Sequence, residues 1–127
     1  MTCTNYPHDI LAGGSCVYKS AAYTVVAVTD SGKIFYSDVD GMVFTLPAIA
    51  SGECYTFVNS AEAGAAKMSI SPNADDGIMY ATDYTNDKDL INTKATHVQG
   101  DRVTVYNISD ADYWQVGRVQ GVWAKEP

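Results

Sequence analysis

The residues whose types and spacing suit chemistry are few, and the densest group is "DYTNDKD", residues 83–89, which offers Asp83, Asn86, Asp87 and Asp89. A hard cation such as calcium wants several oxygens converging on one point. A helix-loop-helix calcium loop does this with acids at alternate positions, a central glycine and a distal Glu. Residues 83–89 lack both the alternation and the glycine, so they read as a solvated polar loop. Asp75 and Asp76 in "NADDG" are explained as a turn ahead of the apolar run that follows.

Nucleophilic chemistry is as poorly supplied. The two histidines, His8 and His97, stand near no glycine-flanked Ser or Cys, and both read as surface histidines. Cys3, Cys16 and Cys54 are odd in number and form no Cys-x-x-Cys pair, which argues against a disulfide framework and a thiolate zinc site. Reduced thiols are expected, with Cys54 in or near the core. Glycoside hydrolysis needs two carboxyls facing across a cleft, whereas most of the 15 acidic residues sit in turn-like stretches. Neither an enzyme nor a bound cofactor or metal is expected. Tyr36, Tyr55, Tyr80, Tyr84, Tyr106 and Tyr113 offer faces for stacking sugars, but aromatics in strands are more often core or half-buried with the hydroxyl reaching water.

Positioning falls to the rest of the chain. Its 127 residues suit one domain. Net charge is −7, with the 8 basic residues scattered from Lys19 to Lys125, so binding to nucleic acid or to an anionic membrane is not expected. No run approaches the ~20 apolar residues that span a bilayer, and the first residues lack a signal peptide's positive start and long apolar core. A soluble protein not exported by the general route is expected.

Residues 1–21 contain Pro7, Gly13 and Gly14 and show no sustained period, so they read as an extended N-terminal arm to a β domain over 22–127. Short runs rich in β-branched and aromatic residues then recur at 23–28, 33–38, 42–46, 54–59, 67–71, 77–81, 102–108 and 113–119. A spacing of about ten residues predicts an all-β fold, a single-domain β-sandwich or small β-barrel. Val103 and Val105 oppose Thr104 and Tyr106, Met68 and Ile70 oppose Ser69 and Ser71, and Trp114 and Val116 oppose Gln115, as in sheets wet on one side. "YTVVAV" (23–28) is apolar on both faces and is placed centrally or under another surface. Gly32 and Gly41 occupy tight turns, and Pro47 with Gly52 makes a corner before a strand starting at Glu53. Residues 80–100 read as a loop ending in a brief strand at 96–100, with a short helix near 87–92 as the alternative. Short edge strands and an arm carrying Tyr6, Ile10, Leu11, Val17 and Tyr18 suit a protein that binds another protein.

The succession "TDSGKIFYSD", "FTLPAIASGECYTFVNS", "MSISPNADDGIMY" and "DYWQVGRVQGVW" resembles the small β domain of tailed-bacteriophage head decoration (cement) proteins, with related modules in tail fibres. The matching residues are Asp30, Ser31, Gly32, Lys33 and Phe35, then Thr45, Leu46, Pro47, Gly52, Tyr55, Thr56 and Phe57, then Trp114, Val116, Gly121 and Trp123. They are mostly structural and cover roughly residues 22–124, leaving out the arm and much of 82–97. The resemblance implies a homotrimer on the outer surface of the capsid, made in the host cytoplasm, whose partner is the major capsid protein and which locks capsomers together. It brings no catalytic residues. Tyr6, His8, Ile10, Leu11 and Tyr18 are the expected capsid contacts of the arm. A tail-fibre or other receptor-binding β module is the alternative, and exposed tyrosines on one apical face would favour it.

Overall fold

The computed structural model describes residues 15–50, 52–108 and 112–127; Tyr6, His8, Ile10 and Leu11 lie outside these. Eleven strands follow one another: β1 Cys16–Tyr18, β2 Tyr23–Thr24, β3 Ile34–Ser37, β4 Met42–Thr45, β5 Glu53–Asn59, β6 Met68–Ser71, β7 Gly77–Met79, β8 Leu90–Asn92, β9 Asp101–Asn107, β10 Tyr113–Gln120 and β11 Trp123–Lys125. Among the described residues the one helical piece is a 3-10 turn, Lys94–Thr96. Two sheets pack face to face, in the orders β1-β3-β5-β9-β10-β7 and β11-β8-β6-β4-β2.

From β1 to β8 the chain crosses to the other sheet after every strand. Up to β6 each strand returns beside its predecessor-but-one in the same direction, so β1, β3 and β5 run parallel, as do β2, β4 and β6. Parallel neighbours need a crossover connection, commonly a helix; here a strand of the facing sheet serves. The second half pairs antiparallel, with β9 on β5, β10 on β9, β8 on β6 and β11 on β8, except that β7 runs parallel to β10 at the sheet edge.

Period-two alternation fills the space between the sheets. Phe35, Tyr55, Phe57, Val103, Val105 and Trp114 come from one side, Met42, Phe44, Met68, Ile70, Leu90 and Trp123 from the other. The Phe44 and Phe57 rings meet across the sheets at 5.0 Å, and Phe35 stacks on Phe57 at 5.8 Å. Leu46 is buried at the end of β4, Pro47 follows, and Gly52, at φ 84, turns the chain into β5. These positions carry the resemblance, and each has a packing or backbone reason.

The chain departs from its sequence reading in several places. Of 23–28 only Tyr23–Thr24 is strand, at a sheet edge, because the Asp30 carboxylate takes the Val26 N–H and ends the ladder after Val25. Residues 87–92 form no helix and 96–100 no strand. Instead Leu90–Asn92 lies between β6 and β11, too short for its alternation to show. Strand β1, inside the stretch read as an arm, is the edge of the six-stranded sheet. Cys54 shares the outward parity of Thr56 and is half-buried outside the core, where burial raises its thiol pKa. Cys16 is not a reduced thiol: it is disulfide-bonded.

Candidate functional site

Two features stand out from the frame, an apex at one end of the sandwich and a pocket on its flank. The apex is built by two buried carboxylates. Asp30 Oδ2 accepts the Val26 N–H at 2.8 Å and the Tyr23 hydroxyl at 2.7 Å, while Oδ1 accepts Lys33 Nζ at 2.8 Å. Within that clamp Thr29 N–H donates to the Ala27 carbonyl at 2.7 Å around Val28, whose φ is 67°. This is the γ-turn with positive φ at its centre, the rare and strained hand, and a β-branched residue is poorly suited to it. Glu53 Oε1 holds it by accepting the Val28 N–H at 2.8 Å and the Tyr55 hydroxyl at 2.5 Å.

The result is an inversion of ordinary burial. Asp30 is 2% exposed and Glu53 8%, whereas Val28 is 78% exposed and Ile108 72%. Ile108 lies at the same end, since Glu53 pairs with Asn107 across β5 and β9. Strain of this kind costs about 1–3 kcal/mol, and charge-assisted hydrogen bonds of about 1.5–3 kcal/mol each offset it. Burial pushes the Asp30 carboxyl up, but the bonds from Lys33, Tyr23 and Val26 together hold it below the ordinary carboxylate range. The Tyr23 phenol is raised, first by its bond to Asp30 and then by burial; for Tyr55 burial leads and the Glu53 bond adds to it.

The pocket, of about 390 Å³, is lined by Thr82, Asp83, Tyr84, Thr85 and Asn86. Tyr80 and Asp83 exchange both backbone hydrogen bonds at 3.0 Å around Ala81 (φ 51°) and Thr82 (φ 68°). Two successive left-handed residues make the hairpin turn that Asn-Gly ordinarily supplies. Asp87, at φ 60°, is a third left-handed residue nearby, and its N–H donates to Asp76 O at 2.9 Å. Gly77 is required beside it, because a Cβ there would run into the Tyr84 carbonyl. Tyr84 is 53% exposed, with its ring 5.1 Å from that of Tyr113.

The acidic side chains of residues 83–89 do not converge. Asp83 accepts the Thr85 N–H at 2.9 Å, and its Thr85 bonds hold it below the usual range; Asp89 is raised, mainly by burial, and lies beside Glu126. Among the described residues no group of three or more His, Cys, Asp or Glu is placed to hold a metal ion.

His97 is buried rather than at the surface: its Nε2 lies 2.8 Å from the Ala61 carbonyl, and its Nδ1 3.7 Å from Asp101 Oδ2. The six tyrosines do not share one platform. Tyr55 is core, Tyr36 and Tyr106 lie on the outer face of the six-stranded sheet, and Tyr80, Tyr84 and Tyr113 surround the hairpin. Tyr18 is exposed beside Tyr36, its hydroxyl donating to Asp38 at 2.6 Å. Gly32 has φ 84° and donates its N–H to Cys54 O at 2.7 Å, and Trp114 and Trp123 are core.

Sequence reasoning missed Val28, Asp30 and Glu53 as a unit. A signal for Glu53 was present: it shares the inward parity of Tyr55 and Phe57, so an acid was due to be buried there. Nothing in residues 80–83 announces a left-handed turn.

Compared with protein-family models and with curated proteins, the chain matches none. No helix among the described residues is long and apolar enough to cross a membrane.

Proposed function

We propose that this is a structural protein of the phage virion, a decoration protein that binds the outer surface of the head through contacts with the major capsid protein and works as a trimer. The observation that carries the reading is the apex: an aliphatic side chain held outward on a strained turn by two buried carboxylates, Asp30 and Glu53. Such an arrangement does no bond-making, and it supplies a stiff apolar contact that loses little conformational freedom on docking. The sequence resemblance supplies the identity of the partner.

Mechanically, a protein that binds only the assembled shell stabilises it by mass action. A trimer contacting several subunits gains from effective concentration even where each contact is weak. Tyr6, His8, Ile10 and Leu11 of the N-terminal stretch, with the exposed Tyr18 at the end of β1, remain the proposed second set of contacts.

The test is the protein's position on particles imaged with and without it. Density over the head surface, with three copies at each occupied position, is the expected result; density confined to the tail tip would replace this reading with a receptor-binding β module. That second reading draws on one observation, the exposed Tyr84 beside the flank pocket.

A further inference from the structure

We infer that the flank pocket is a binding site for a neutral saccharide, with Tyr84 as the stacking face and Thr82, Asp83, Thr85 and Asn86 as partners for its hydroxyls. The inference goes beyond the decoration reading and does not depend on it.

Lining chemistry narrows the ligand. The pocket has one aromatic residue and four polar ones, with no aliphatic wall, whereas sites for apolar small molecules are lined mainly by hydrophobic side chains. An anion such as phosphate, sulfate or a uronate is opposed by Asp83, which its bonds from Thr85 hold ionised at neutral pH. Lys88 and Lys125 are close enough to favour the Asp83 anion, but neither lines the pocket: Lys88 Nζ donates to the Pro127 carbonyl, and Lys125 Nζ to the carbonyls of Ile78 and Lys88. For a metal ion, no group of three or more His, Cys, Asp or Glu comes together among the described residues. A ring with an apolar C–H face and a rim of hydroxyls meets both halves of the lining, and its hydroxyls donate well to an ionised carboxylate.

The backbone is set before any ligand arrives. The Tyr80–Asp83 and Gly77–Asn86 bridges close the segment on both sides, and the Tyr113 ring supports that of Tyr84. Preformed walls reduce the ordering cost of binding. Ala-Thr at the turn carries strain that Asn-Gly would avoid, and in return Thr82 lines the pocket. Its volume lies near the lower end of the roughly 300–1,000 Å³ typical of ligand sites.

The test is a titration of the full, isotope-labelled chain with the methyl glycosides of glucose, galactose, mannose and N-acetylglucosamine, followed by amide NMR shifts. At least one is expected to shift residues 82–86 and Tyr113 with a Kd of about 1–10 mM. Tyr84→Ala should weaken that response about tenfold and Tyr84→Phe should keep it, both with unchanged thermal unfolding. No response from any of the four, shifts centred elsewhere, equal shifts with sodium phosphate, or full binding by Tyr84→Ala would each overturn the assignment. Position on the particle is read separately, so loss of sugar binding with normal head occupancy separates this inference from the proposed function.

Discussion

The two ends of the sandwich use the same device to opposite effect. At the end where β5 finishes and β9 begins, Asp101 is buried and its Oδ2 accepts the Val98 N–H at 3.0 Å and Asn92 Nδ2 at 3.1 Å. Asn92 Oδ1 accepts Asn59 Nδ2 at 2.8 Å, and Asn59 Nδ2 also reaches the Ala66 carbonyl. That network ties β5, β8 and β9 together, and the left-handed position it needs is filled by Gly121, at φ 95°. At the apex Asp30 and Glu53 also accept backbone N–H groups, but the left-handed residue is Val28, and its side chain points to solvent. One end places glycine at its left-handed positions, Gly100 and Gly121, and leaves one buried nitrogen, His97 Nδ1, without a hydrogen-bond partner; the other spends its hydrogen bonds on holding a valine outward. That departure from the relaxed solution is what supports the proposed docking role of the apex.

The largest expected effect breaks the relaxed end. Gly121→Ala places a Cβ into the Asp101 carboxylate on a backbone at φ 95°, and a loss of about 3 kcal/mol is expected in urea unfolding. A loss under about 0.5 kcal/mol, the size of an ordinary surface change, would mean that the Asp101 network does not constrain that end.

A smaller effect is expected from the clamp at the apex. Asp30→Asn should cost about 1–2 kcal/mol at neutral pH. Because the Asp30 carboxyl is held below its ordinary value of 3.8, its stabilisation is complete above that value and is lost as pH falls through the lower folded value. Stability of the native protein should therefore fall more steeply below pH 3.8 than that of Asp30→Asn, and matching pH profiles would remove Asp30 from the clamp.

The smallest effect has the opposite sign. Asn tolerates the left-handed region better than valine does, so Val28→Asn should gain about 0.5–1 kcal/mol. Destabilisation by the same amount would show that the turn at Val28 is not strained.

The fold was legible where alternation was long. Val103 and Val105 in β9, and Tyr55 and Phe57 in β5, are core as their parity requires. Turn chemistry at Pro47, Gly52, Gly32 and Gly41 was equally readable. Where strands shrink to two or three residues, as at Tyr23–Thr24 and Leu90–Asn92, a period of two has nothing to repeat over, and tertiary pairing decides. The apex was illegible for another reason. Asp30 reads locally as a turn residue, and only the fold brings Glu53 to Val28, 25 positions away. His97 misled likewise, since its burial is created by the loop carrying Ala61.

Under the proposed function the strained valine is a docking contact, and Val28→Asn on particles is the sharpest check of it. Binding of the variant to expanded heads should weaken roughly 10- to 100-fold, the equivalent of about 1.5–3 kcal/mol for one buried aliphatic side chain, while its unfolding midpoint rises. Head occupancy equal to that of the native protein at limiting concentration would contradict the account.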